Sequence, residues 1–163
     1  MFVIGLLLPQ NLQMPVDGAN QHSYHPKSFW HEGWGSSIVH KGVDIFAKKG
    51  TPIHASTYGL VIGNSEVGKG GKVVLVLGPK WRIHYYAHLN ESKTSLFSFV
   101  TQNSVIGTVG NSGNAKKTPA HLHYSIATMI PYPWRIDDAP QGWMKMFYLN
   151  PIEYIKEGRK ACT

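Results

Sequence analysis

Apolar residues in this sequence come in short runs that glycine, asparagine, proline or lysine cut off before a helical period can develop. Such punctuation argues against a helical bundle and for strands. "GLVIG" (59–63), "KVVLVLG" (72–78), "WRIHYYAHL" (81–89), "SVIGTVG" (104–110) and "HLHYSIA" (121–127) read as strands. They are rich in Val, Ile and Tyr, which suit a pleated, half-buried surface. "EVGKGGK" (66–72) reads as a hairpin turn, because clustered glycines supply the positive φ that tight turns need. Helical signal is best in "NPIEYIKEGRK" (150–160), with Asn150 as cap and Pro151 at the first helical position. The chain reads as one mainly β domain, without long linkers or internal repeats.

Its 163 residues suffice for one domain with a real core. With 42% hydrophobic and 15% charged residues, the chain is not of the disordered class. Two segments stand apart. Residues 17–39, which hold "HSYHPKSFWHEGWGSS", lack alternation and read as a long surface loop. Residues 128–148, "TMIPYPWRIDDAPQGWMKMFY", are dense in proline and aromatics. Long loops of that kind are usually functional or flexible, and this one is expected to form a wall of a groove. The opening "MFVIGLLLP" is far too short to span a bilayer and lacks a basic n-region and a small-x-small cleavage site. It reads as a first strand or core segment, or as the remnant of a trimmed leader.

A net charge of +7 favours an acidic partner: nucleic acid, an anionic membrane or an acidic wall polymer. No RNA- or DNA-reading motif is visible, so nucleic acid is set aside. Cys162 is the single cysteine, which excludes a disulfide within the chain and leaves the redox compartment open.

Chemistry points to the histidines. In a strand, residues i and i+2 share a face, so His121 and His123 of "AHLHY" project together with Leu122 opposite. The pair is half of a metal site, a ligand beside a catalytic base, or simply a polar strand face. "HKGVD" (40–44) adds His40 and Asp44, with Gly42 between them allowing an unusual backbone path. Imidazole plus carboxylate is a common zinc pair, and three ligands leave a position open, as catalytic sites require. "HYYAH" (84–88) has the spacing of a zincin helix but lacks its glutamate and is strand-like. As a strand it would put His84, Tyr86 and His88 on one face. His22, His25, His31 and His54 read as surface or structural residues.

Together, "HKGVDIFAKKGTPIHA" (40–55), "YYAHL" (85–89), "VGNSGNA" (109–115) and "HLHY" (121–124) resemble the lysostaphin-type, LytM-like zinc metallopeptidases, in that family's order and at fitting intervals. The resemblance covers roughly residues 12–127, with "LNPIEYI" (149–155) similar to the family's closing segment. It implies a single metallopeptidase domain over 1–163, of the antiparallel β type with a duplicated hybrid motif and a groove over the metal. It further implies one Zn2+ per chain, held by His40, Asp44 and His123, with His88 and His121 beside a metal-bound water. The implied substrate is peptidoglycan, cut in its peptide stems or cross-bridges, and the implied location is the cell envelope, periplasmic or extracellular. Pro119-Ala120 stands where the family commonly has Gly-Pro, "VTQNS" (100–104) replaces a glycine-bearing turn, and 128–148 is longer than usual. These departures bear on specificity rather than on the ligands.

Two other readings compete. A non-catalytic wall-binding or regulatory module would use the same fold, and the presence of all five histidine and aspartate positions argues against it. "MKM" (144–146) has the look of a biotin attachment site, but Lys145 lies in an irregular aromatic segment rather than at a hairpin tip. Met-rich packing is the better account.

Overall fold

The computed structural model describes residues 2–34 and 37–160. A short helix α1 (Phe2–Leu7) is followed by β1 (Val43–Phe46), β2 (Pro52–His54), β3 (Gly59–Val67), β4 (Gly71–Gly78) and β5 (Arg82–Ser92). Then come β6 (Phe99–Val100), β7 (Val105–Val109), β8 (His121–Thr128), β9 (Tyr148–Leu149) and helix α2 (Pro151–Lys160). Every strand pairing is antiparallel, along the order β1-β8-β5-β4-β3-β6, with β7 joining β5 to β2 and β9 lying on β8. The mainly β architecture read from the sequence is therefore the architecture observed. Cys162 lies outside the described residues.

Strand alternation separates a core face from a site face. Leu122, Tyr124 and Ile126 of β8 are fully buried beside Ile45 of β1 and Tyr86 of β5. Their neighbours His121 and His123 leave the sheet on the other side. The register sets Asp44 directly opposite His123 and Phe46 opposite His121, so the period of two brings candidate ligands from distant sequence onto one face. β1 is not legible as a strand in isolation. It has four residues, one of them Asp44, and its pairing with β8 makes it one.

The 66–72 hairpin forms as expected, with Val67 opposite Gly71. Gly71 (φ +64°) and Gly113 (φ +68°) pack backbone to backbone, and a Cβ on either would lie 2.4 Å from the other's nitrogen. This contact fastens the hairpin to the 3-10 turn Gly113–Lys117 beside the site. Asn150 caps α2 through Oδ1, which accepts the Ile152 N–H at 3.2 Å, and Ile152 and Ile155 enter the core.

Two expectations about local structure need correction. "MFVIGLLLP" is neither strand nor core. Residues 2–7 are helical, Gly5 rests against the Trp81 indole, and Val3, Ile4 and Leu7 are exposed. The helix packs on the 3-10 turn Pro79–Trp81 rather than adding to the sheet. Residues 17–39 do not form a simple surface loop, since Tyr24, Trp30 and Val39 are buried. The 128–148 segment is built of 3-10 turns at Pro133–Arg135 and Gly142–Phe147. It meets the 17–39 segment where Trp30 Nε1 donates to Pro140 O at 3.1 Å.

Candidate metal centre

His40, Asp44 and His123 converge. Asp44 Oδ1 lies 2.8 Å from His123 Nδ1 and 3.1 Å from His40 Nε2, and the two ring nitrogens are 3.0 Å apart. Among the described residues this trio is the group whose potential ligand atoms cluster. His40 Nδ1 donates to Ser28 O at 3.0 Å, which in a neutral ring leaves Nε2 with its lone pair. That lone pair faces a carboxylate oxygen and a second imidazole nitrogen. Acceptors aimed at one another are stabilised by a cation between them. Donors 2.0–2.1 Å from a tetrahedral zinc stand about 3.3 Å apart, so the observed spacing fits such an ion after a small outward relaxation. The Ser28 carbonyl supplies the backbone contact that commonly orients a metal-bound histidine.

The electrostatics suit a cation as well. Burial alone would raise the Asp44 pKa, but the adjacent His123 and His40 rings outweigh it and hold the carboxyl well below its ordinary range. For His123, desolvation is the larger effect and lowers the pKa. An ionised carboxylate facing a His123 ring whose charged form is disfavoured suits metal binding.

Gly42 owes its identity to packing. Its φ is not in the left-handed region, contrary to the unusual backbone path expected for it. A Cβ there would lie 2.6 Å from Tyr124 O and 2.9 Å from His123 Nε2 and Cε1, so only glycine lets this segment lie against the ligand ring.

His88 and His121 flank the trio. His121 Nδ1 donates to Pro119 O at 2.8 Å, and its Nε2 lies 3.9 Å from Asp44 Oδ2. His88 Nδ1 donates to Ser112 O at 2.9 Å. Their rings meet edge to face at 5.0 Å between centroids. Burial first, then the neighbouring His121 and His123, push the His88 pKa down to about 4, against weaker support from Ser112 and Asp44.

The expectation that His84, Tyr86 and His88 share a face fails at His88. That residue adopts φ +64° where the β4–β5 register shifts, and its N–H donates to Gly70 O at 2.9 Å. The irregularity turns its imidazole to the site face, while His84 stays in the core against the Tyr124 hydroxyl at 2.7 Å. His22, His25, His31 and His54 do not join the cluster.

Sequence reasoning passed over Trp34 and Tyr85. The Trp34 indole stacks on His40 at 4.0 Å and 25°, and Tyr85 meets His123 edge-on at 6.2 Å. Burial raises the Tyr85 pKa, so its hydroxyl stays a donor. Alternation could have found Tyr85, two residues before Ala87, which pairs with His123. Nothing local marks Trp34. The 128–148 segment does not line the cavities at the trio, and it reaches them only through Gln141, which accepts from the Lys41 ammonium. Lys145 ion-pairs with Asp137 in a 3-10 turn and does not top a hairpin.

The comparisons with known proteins give the family to which this antiparallel fold and its clustered donors belong. Residues 38–132, more than half of the chain, match the model of peptidase family M23, and the chain belongs to that family. It is 35% identical over 121 residues to an L-Ala–D-Glu endopeptidase of Bacillus subtilis (strain 168), a match covering 69% of this chain and 36% of that protein. Similarity to the peptidoglycan DD-endopeptidase ShyC of Vibrio cholerae serotype O1 is 32% over 114 residues, covering 69% of this chain and 26% of that one. The chain thus spans well under two thirds of either relative. The catalytic domain of lysostaphin from Staphylococcus simulans has the same fold, with a TM-score of 0.65 at 20% identity over 79% of this chain and 89% of that domain.

Proposed function

We propose that this chain is a zinc-dependent endopeptidase that hydrolyses peptide bonds in the stems or cross-links of peptidoglycan. His40 Nε2, Asp44 Oδ1 and His123 Nδ1 hold one zinc ion, and His88 and His121 manage protons beside it. The observation that carries this reading is the shared tethering of the two flanking histidines. Each gives its Nδ1 proton to a backbone carbonyl, so each presents Nε2 beside a cluster of metal-type donors. When bound, zinc supplies Lewis acidity, lowering the pKa of water and polarising the scissile carbonyl.

The chain's own groups do the rest. At neutral pH the His88 ring is neutral, so its Nε2 can take a proton from the attacking water and later return it to the leaving amine. His121 Nε2, left with its lone pair because Nδ1 donates to Pro119 O, faces the same space and can accept a hydrogen bond from the attacking water. Trp34, stacked on His40, shields that ligand from solvent. A peptidoglycan substrate implies action in the cell envelope, periplasmic or extracellular. No helix of the described residues is long and apolar enough to cross a membrane. The similarity to an L-Ala–D-Glu endopeptidase and a peptidoglycan DD-endopeptidase supports the substrate class.

The test is metal analysis together with digestion of purified peptidoglycan, the released fragments being identified by mass. One zinc per chain and new amino termini in the peptides are expected. A zinc-loaded protein that binds the polymer without cutting it would point instead to a wall-binding module.

A further inference from the structure

The three ligand-type residues are not held alike. Asp44 and His123 stand opposite each other in the paired strands β1 and β8, whereas His40 precedes β1 and lies outside the sheet. Residues 28–34 hold it instead. Its backbone N–H donates to His31 O at 2.9 Å, and its carbonyl accepts the Trp30 N–H at 2.7 Å. Its ring is bonded to Ser28 O and stacked by Trp34.

Residues 28–34 are tied in turn to the 128–148 segment, and the tie is Trp30. Its buried indole gives the Nε1 proton to Pro140 O at 3.1 Å and meets the Tyr148 ring at 6.1 Å between centroids. Two ammonium groups rest on the indole, Lys145 at 5.5 Å and Lys41 at 5.8 Å. Lys41, the neighbour of His40, also donates to the Gln141 amide oxygen. Its carbonyl accepts the Ser125 hydroxyl at 2.8 Å, two residues along β8 from His123. Trp30 (φ +61°) and Gln141 (φ +55°) both have left-handed backbone, which a residue other than glycine keeps only where its surroundings over-determine it. A continuous path of packed and hydrogen-bonded groups therefore runs from 128–148 to His40.

Resting on the zinc-centre reading, we infer that the 128–148 segment is a brace for the metal site, with Trp30 and Gln141 as positioning residues that fix His40. Both act by keeping His40 Nε2 aimed at the point that Asp44 and His123 share. The segment thereby sets how tightly, and in what geometry, the ion is held.

The test reads metal binding rather than cleavage alone. Zinc affinity is measured by competition with a chromophoric chelator, and the visible absorption of the Co2+-substituted protein reports ligand geometry. Trp30→Phe keeps the backbone contacts to His40 and removes the Nε1 donor. Gln141→Asn keeps a residue that tolerates left-handed backbone and leaves its amide one methylene short of Lys41. Each should lower zinc affinity by about tenfold, the low end of what losing an orienting group costs, and should shift the Co2+ bands. Gln141→Glu, which keeps an acceptor at the same reach, should retain the parent affinity and bands. Ile152→Val, a core substitution in α2, should cost stability without moving either readout. Parent-like affinity and bands in both Trp30→Phe and Gln141→Asn would overturn the brace, as would equal losses in Ile152→Val. Weakened zinc binding in the two variants, beside a zinc-loaded parent that cuts no peptidoglycan, would keep the brace and remove the endopeptidase reading.

Discussion

Gly42→Ala is the smallest change that should damage the centre. The new Cβ would sit 2.6 Å from Tyr124 O and 2.9 Å from the His123 ring. An ordinary carbon–oxygen contact is roughly 0.7–1.0 Å longer than the first of these, judged against the roughly 3.3–3.6 Å of weak C–H···O contacts. The oxygen belongs to β8 backbone whose partner, Val43, is the next residue along, so relief requires β1 and β8 to part locally. Overpacking of this kind costs about 1–3 kcal/mol. For a chain of this size that corresponds to a fall in Tm of about 3–10 °C. The same displacement moves Asp44 relative to His123, and zinc affinity should fall by about 10–100-fold, the range seen when groups that orient a ligand are disturbed. Differential scanning calorimetry in chelator isolates the packing cost, and a competition titration with a chromophoric zinc chelator reads the affinity. A variant with Tm within 1 °C and zinc affinity within about threefold of the parent would refute the argument that close approach selects glycine here.

His123→Ala should lose zinc, whereas His121→Ala and His88→Ala should keep it and lose roughly 10²–10⁴ in cleavage rate, as read by metal analysis and peptide hydrolysis. Zinc-free His121→Ala beside zinc-loaded His123→Ala would mean the roles are reversed. Chelator should abolish cleavage and leave the far-ultraviolet dichroism largely unchanged, because the core strands bury their apolar faces without the metal; a coil-like spectrum would contradict this. Stability should decline on acidification. Burial, with Arg82 adding to it, pushes the His84 pKa from 6.5 to about 3, so below pH 6.5 the unfolded chain takes up a proton that the folded chain refuses. The resulting slope is up to about 1.4 kcal/mol per pH unit from this residue. His84→Gln should flatten urea-unfolding free energies between pH 6.5 and 5, and an unchanged slope would exclude His84 as the source.

Much of the candidate site was legible in order along the chain. The alternation that places His121 and His123 on one face is a property of any strand, and Asn150 followed by Pro151 announces a helix start locally. Short runs rich in Val, Ile, Leu or Tyr specify β3, β4, β5, β7 and β8 because each carries its own local β signal. What tertiary structure decided is where periodicity breaks or where contacts are long-range. The turn of His88 toward the site depends on a left-handed residue at a register shift, which no pattern of alternation encodes. Gly42 is dictated by the His123 ring, 81 positions away in sequence, and Trp34 reaches His40 by a fold-back of the 17–39 segment. The apolar opening residues form a helix resting on the Trp81 indole, a contact between positions far apart in the sequence. Local sequence sets the preference of each segment. Which segments compete for an edge, and which side chains share a cavity, follows only once the whole chain has packed.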